Sequence, residues 1–486
     1  MSYISVGFAG LTAILFLLYY CIPKRWKRGR ECVLLLGSLL FFGSYDFRYL
    51  GFLLFTAGSA FICARRMAGT KHKKGLLSVF IISNALIWYV VKVLPWNIGF
   101  VQSLLGREAD TGLGLLVPLG ISYYTLQTIA YVVDIYRGKT EPEKDLIRFL
   151  LFVSYFPAIV QGPISRYDEL MPELCNRERF SLETVFRGML LLLIGLVKKL
   201  VIADRLAVFV AVCFREYQNM GGLILYLGAV AYAVQIYADF SGCVDLCRGV
   251  SLLFNIKLIN NFNRPYLAKS IRDFWSRWHI SLTRWLRDYI YIPLGGNRKG
   301  TLRKYLNILI TFLISGIWHG AGFNFMVWGL LHAGYQIIGR STAGLRAKCK
   351  RAIGIREGSL SERIYQTIIT FNLVTFAWIF FRADSVGNAL GYIGAMFTNQ
   401  NNAMLFNGGI FTLGISRTYV EILVLNVLAL LLIDLISRDQ DSAIDGVFAQ
   451  HIFIRWGVYI LLILDLFLFG AIGSGYNISG FMYGGF

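Results

Sequence analysis

The chain has 486 residues, 56% of them hydrophobic and only 16% charged, with a mean hydropathy of +0.58. A soluble protein carries about a quarter charged residues, so this composition excludes a water-soluble globular enzyme. The net charge of +20 would suggest a nucleic-acid partner in a soluble chain, but the basic residues here cluster between apolar runs, as the positive-inside rule dictates, and no nucleic acid is expected.

The first apolar run, Tyr3–Ile22, is followed by Lys24, Arg25, Lys27, Arg28 and Arg30, which places the N-terminus outside the cytoplasm. No basic residue precedes the run, so it does not read as a cleavable signal peptide. Arg65, Arg66, Lys71, Lys73 and Lys74 mark the next cytoplasmic loop. Further apolar runs lie at Leu76–Val91, Gly112–Val133, Tyr217–Ala238, Ile364–Phe381, Ile422–Ile433 and Trp456–Leu464. Together with shorter or polar-interrupted runs they predict about 11 spanning or re-entrant helices, given that roughly 20 apolar residues cross a bilayer. The fold class is therefore an all-α polytopic membrane protein in which 1–486 form a single membrane domain. Helix polarity carries the segment after the last run outward, so 470–486 is expected to be a flexible extracytoplasmic tail. The eight cysteines show no zinc-ligand spacing and read as packing residues.

Between Arg264 and Lys304 there are ten Lys and Arg against two acids, Asp273 and Asp288. Within this stretch Phe274, Trp278, Ile280, Ser281, Trp285 and Tyr289 alternate with Arg272, Arg277, Arg284 and Arg287. Aromatics at helical spacing opposite arginines predict an amphipathic helix at the membrane interface, stopped by Pro293 and Gly295–Gly296. One use of such a helix is anchoring. Another is to ring a cytoplasmic entrance where Arg277, Arg284, Arg287, Arg298 and Lys299 receive a phosphorylated donor, because guanidinium groups match phosphate geometry. The run GGNRKG lacks the Walker spacing, so nothing indicates ATP hydrolysis.

His319 follows, inside an uncharged stretch from Tyr305 to Ile338 that is long enough to be embedded in the membrane. An ionisable group at that depth is costly and is usually there for function, and imidazole suits proton transfer near neutral pH. His332 reads as a structural hydrogen-bonder, His72 as a solvated loop residue and His451 as an interfacial one. Asp239 and Asp245 flank SGCV near the end of a predicted span and suit packing or a funnel wall.

The stretches FWSRWHISLTRWLRDYIYIPLGGNRKG and ISGIWHGAGFNFMVWGLLHAGY resemble the membrane-bound O-acyltransferase (MBOAT) family. The likeness is to its bacterial branch of alginate and peptidoglycan O-acetylation proteins. VPLGISYYTLQTIAYVVDIYRG, FPAIVQGPISRY, QIYADFSGCVDLCRGVSLLFNIKLINNFNRPY and FAWIFFRADS fit as well. The resemblance implies a ring of helices with cytoplasmic amphipathic helices around a central funnel. His319 matches the family's characteristic histidine, and His279 matches its second polar position. The implied activity is transfer of an acyl group, acetyl above all, from acetyl-CoA or another cytoplasmic thioester. The acceptor would be a hydroxyl of a cell-surface or secreted polysaccharide. The ending SGFMYGGF is similar to the aromatic-tyrosine ending of this branch, which makes Tyr483 a possible acyl carrier.

The expected sequence of events starts with the donor reaching His319 from the basic cytoplasmic face. His319 acts as general base, His279 orients the donor or stabilises charge, and Tyr483 takes the acyl group outward. An extracytoplasmic SGNH-type transferase would then pass it to the polysaccharide. No tightly bound cofactor and no metal are expected. The protein would lie among the lipids of a bacterial plasma membrane with both termini outside. The alternatives are D-alanyl transfer to teichoic acid, acylation of a lipid, and a non-enzymatic proton-coupled transporter.

Overall fold

A computed structural model describes residues 1–23, 25–26, 28–105, 117–175, 180–471 and 481. Lys24, Lys27, Tyr483 and most of the 470–486 segment lie outside these described residues. All regular structure among the described residues is helical, as the composition requires, because only helices and closed barrels satisfy the backbone in lipid.

The chain divides into two compact units. The first comprises Met1–Leu192 and Cys243–Asn260. It holds α1 (Val6–Cys21), α2 (Gly29–Gly43), α3 (Tyr49–Ala68), α4 (Lys73–Trp88), α5 (Leu94–Leu104), α6 (Ile121–Tyr136), α7 (Leu146–Ser154), α8 (Tyr167–Leu174) and most of α9 (Leu182–Leu196). Its centre is α6, which packs on α3 and α4 and buries Tyr124, Tyr131 and Val132. The buried Glu31 of α2 is paired with Arg148 of α7 at 3.1 Å, which ties the α2–α7 contact electrostatically.

The second unit comprises Leu193–Gly242 and the described residues from Asn261 onward. It begins with a π-helical turn, Val197–Ala203, which leads into α10 (Asp204–Arg215). Then come most of α11 (Gly222–Leu253), α12 (Ile271–Arg277), α13 (Ile280–Leu286), α14 (Thr301–His319), α15 (Phe323–Ser341) and α16 (Ala343–Ala352). The remainder is α17 (Leu360–Arg382), α18 (Val386–Thr398), α19 (Ala403–Phe406), α20 (Arg417–Ile436), α21 (Gln440–Phe448) and α22 (Ile452–Phe469).

Among the described residues, six helical stretches are long and apolar enough to cross a membrane: α3, the run Lys73–Leu104, α11, α17, α20 and α22. In α20 and α22 the apolar side chains mostly face outward, Leu425, Ile436, Phe453, Leu461 and Phe467 among them. A surface of that kind is stable in lipid and an aggregation hazard in water. α11 is instead a core helix, and Asp239 and Asp245 lie well inside it rather than near its end.

One expectation about helix continuity is corrected. The aromatic-arginine stretch is not one interfacial helix but two short ones, α12 and α13, followed by a π-helical turn, Arg287–Tyr291. The break falls on His279, whose φ of 44° and ψ of 54° are left-handed. Phe274, Trp275, Trp278 and Trp285 are buried in the protein, because an aromatic face that meets other rings gains more than one laid on a headgroup layer. The uncharged Tyr305–Ile338 stretch likewise breaks after His319, where Gly320 turns extended and α15 starts at Phe323. α14 and α15 then pack against each other along their length. A Cβ on Gly316 would stand 2.4 Å from the Phe325 carbonyl oxygen, and one on Gly329 would stand 2.3 Å from that of Phe312. The two backbones meet only because both positions lack a side chain.

Candidate active site

His319 is the last residue of α14 and is 2% exposed. Its imidazole is walled by rings: Trp318 at 4.9 Å, Trp328 of α15 at 5.1 Å and Phe381 of α17 at 5.4 Å between centroids. Trp328 and Trp378 stack at 5.7 Å behind it. Such a wall excludes water, which strengthens polar interactions inside.

His279 comes to the same cluster from the α12–α13 break. Its ring meets Phe240 of α11 at 4.8 Å and Trp318 at 6.2 Å, so the two histidines share Trp318 as a neighbour. A left-handed conformation costs a non-glycine residue about 1–3 kcal/mol and persists only where the surroundings impose it. Here the buried Asn261 imposes it from both sides of its own residue. Its carbonyl accepts from Ile280 N at 3.0 Å and its side-chain oxygen from Ser281 N at 3.0 Å. His279 lies between the short helices, outside the membrane-crossing stretches, and burial pushes its imidazole down to about 3. It is thus a neutral group suited to orienting a ligand by hydrogen bonding rather than to offsetting a negative charge.

His332 of α15 is fully buried, and its Nδ1 accepts a hydrogen bond from Trp275 Nε1 at 3.2 Å. An indole nitrogen can only donate, so the neutral His332 carries its proton on Nε2. Its ring also packs on Trp328 at 5.1 Å. His332 and His319 therefore share Trp328 as a neighbour, and Trp275 joins that group to the cavity described next.

The cavity has a volume of about 800 Å³ and is lined by five basic side chains, Arg272, Arg284, Arg287, Lys304 and Arg340. Trp275, Ile308 and Phe312 supply its apolar wall. Of the cations picked out from the sequence, Arg284 and Arg287 line it, with Arg287 also paired to Asp288 at 2.8 Å. Arg277 is not among the lining residues and is held by Asp273 at 2.7 Å, and the exposed Arg298 and Lys299 are not among them either. Arg272, Lys304 and Arg340 were not singled out. Arg272 carried a usable signal, since it belongs to the same alternating pattern. Lys304 and Arg340 bracket the uncharged stretch, and only the α14–α15 hairpin brings its two ends together. Among the described residues no three His, Cys, Asp or Glu side chains gather as a metal-binding group. Tyr483 lies outside the described residues.

Comparison with known proteins bears on this arrangement. The model of the membrane-bound O-acyltransferase family matches residues 142–371. The chain is 36% identical over 383 residues to a probable alginate O-acetylase, AlgI, of Pseudomonas fluorescens, covering 78% of this chain and 72% of that protein. The chain belongs to the membrane-bound O-acyltransferase family. A peptidoglycan O-acetyltransferase of Helicobacter pylori is 33% identical over 425 residues, 81% of this chain and 78% of its own. A teichoic acid D-alanyltransferase of Bacillus subtilis is 28% identical over 232 residues, 45% of this chain and 58% of its own. The MBOAT-matched stretch contains His279, His319 and His332 and every basic residue of the cavity. As an MBOAT protein the chain is a membrane-integral O-acyltransferase.

Proposed function

We propose that this enzyme moves an acetyl group from acetyl-CoA, bound on the cytoplasmic side, to a carrier hydroxyl that serves O-acetylation of a cell-surface or secreted polysaccharide. The observation that carries this reading is the join between the basic cavity and the histidine cluster through Trp275. Phosphates of the donor suit Arg272, Arg284, Lys304 and Arg340, while the thioester end suits the aromatic wall around His319. The named activities of the alginate and peptidoglycan relatives support acetyl as the group and a polysaccharide as its destination.

In the reaction we envisage, His319 takes the proton of an incoming hydroxyl as its oxygen attacks the thioester carbonyl. The carbon–sulfur bond breaks, and the thiolate leaves with the proton returned by His319. Tyr483 is the proposed first acceptor. A phenol has a reference pKa near 10, so it needs such a base at neutral pH. An SGNH-type partner outside the membrane would take the acetyl ester onward. This scheme puts the protein in a bacterial plasma membrane with both termini outside and moves only the acyl group across, sparing the charged donor from hydrocarbon.

Vesicles incubated with acetyl-labelled CoA test the scheme. Label is expected on the C-terminal peptide and then on polymer, and His319→Ala should lower transfer by roughly 10²–10⁴-fold with the protein still folded. Wild-type transfer by His319→Ala would refute the base. Label from an activated D-alanine donor but not from acetyl-CoA would move the enzyme to the activity named for its teichoic-acid relatives.

A further inference from the structure

The molecule contains a second buried polar cluster that the chemistry above does not use. Lys199, in the π-helical turn, is 1% exposed, and its ammonium lies 2.8 Å from Asp204 and 2.8 Å from Asp239. Two carboxylates on one ammonium leave the group compensated, which a buried charge requires. On a further side sits the ring of Phe481, with its centroid 4.8 Å from Lys199 Nζ and the residue itself buried. That is within the range in which a ring quadrupole attracts a cation, and desolvation strengthens the attraction.

The same turn, together with Arg205 of α10, also holds the chain where it leaves α22. Leu200 O accepts from Ala471 N at 2.9 Å, and Arg205 donates to Phe469 O at 3.1 Å and Gly470 O at 3.3 Å. The chain therefore leaves the turn at Leu200 and is back on it at Lys199, ten residues later. Asp239, which holds Lys199, is followed directly by Phe240, whose ring packs on His279. π-helical turns are frequent at functional sites, and this one ties Phe481 to the helix that walls the candidate centre.

We propose that Lys199, held between Asp204 and Asp239, is a dock for Phe481, and that this cation–π contact fixes the point from which Tyr483 is presented. Two residues of chain span at most about 7 Å, so a docked Phe481 confines Tyr483 to a small volume. Lys199 and Phe481 are positioning residues. Neither touches a reacting atom. The functional half of the proposal rests on Tyr483 as acceptor, whereas the dock itself does not.

The test replaces Phe481 by phenylalanines of increasing fluorination, which weaken the ring's attraction for a cation with little change of size, and by Leu and Ala. Docking is read as the maleimide labelling rate of Met482→Cys in purified full-length protein with the exposed Cys21, Cys32 and Cys349 changed to Ser. Labelling should rise stepwise with fluorination and be roughly 2- to 30-fold faster in Phe481→Leu, the range expected for one cation–π contact. Equal rates for the fluorinated rings and Phe, with only Phe481→Ala faster, would overturn the dock in favour of plain apolar burial. Equal rates throughout would show that Phe481 is not docked. In parallel, acyl transfer should fall in the same order, with donor binding at the cytoplasmic cavity unchanged. If Tyr483→Phe leaves polymer acylation intact, the carrier reading fails, and the labelling series still decides the dock.

Discussion

The hydrogen bond from Trp275 to His332 permits a test whose outcome depends on removing one partner or both. In Trp275→Phe the buried Nδ1 of His332 loses its donor, and an orphaned buried acceptor costs about 1–3 kcal/mol. The smaller ring adds about 1 kcal/mol for the space left behind. His332→Phe orphans the indole N–H at a similar cost of about 1–3 kcal/mol. The double variant leaves no unsatisfied polar atom at this contact, so it should be less destabilised than the two singles combined by both orphan costs together, about 2–6 kcal/mol. Reversible unfolding in mixed detergent–SDS micelles gives the three differences. Effects that add to within about 0.5 kcal/mol would refute the reasoning. The two side chains would then be uncoupled, and the link between the basic cavity and the histidine cluster would carry no energy.

Three further outcomes follow from the geometry. Replacing Arg272, Lys304 and Arg340 together by Gln should raise the KM for a phosphorylated donor at least tenfold, as expected for three charge-assisted contacts, and flatten its salt dependence with kcat changed far less; an unchanged KM would remove the cavity from donor binding. Gly316→Ala drives a methyl into the Phe325 carbonyl and should cost about 1–3 kcal/mol, whereas Gly334→Ala, with open space at its Cβ position, should be close to neutral by the same unfolding assay. Because burial pushes His279 down to about 3, the native protein does not take up its proton while the unfolded chain does below pH 6.5. Stability should therefore fall as pH drops from 6.5 towards 3, with about one proton of linkage assigned to this residue. His279→Asn should remove that proton from the slope, and an unchanged slope would show that His279 ionises in the folded state.

Much of the candidate site was legible because its residues are local in sequence. Trp318-His319-Gly320 and the run from Phe274 to Arg287 carry their chemistry within a few turns, and the uncharged stretch around His319 reports burial. What escaped the sequence depends on backbone decisions that periodicity does not encode. A helical repeat reads straight through His279, since the residue that enforces its left-handed break, Asn261, lies eighteen positions earlier. The break after His319 was signalled by Gly320 and Gly322, but an apolar run of that length also fits one continuous span. Arg340 reads as the start of a loop and joins Lys304 only across the hairpin. Lys199 escaped altogether. A lysine pair inside LIGLVKKLVIADR is an anomaly in an apolar run, but its partners Asp239 and Phe481 are far away along the chain.

The Lys199 cluster also orders events in time. Asp204 and Asp239 follow Lys199 within forty residues, whereas Phe481 emerges only after about 240 more have been added. At 5–20 residues per second that delay is roughly 12–48 s. The ammonium does not wait for the ring to find its charge partners, because both carboxylates are already in the chain. The aromatic arrives on an ammonium already paired with two carboxylates, and its contact with Lys199 spans more than half the chain. Synthesis therefore supplies the carboxylates of this turn first and its ring last, so a chain that ends just before Phe481 would keep Lys199 between its two acids and lack the ring.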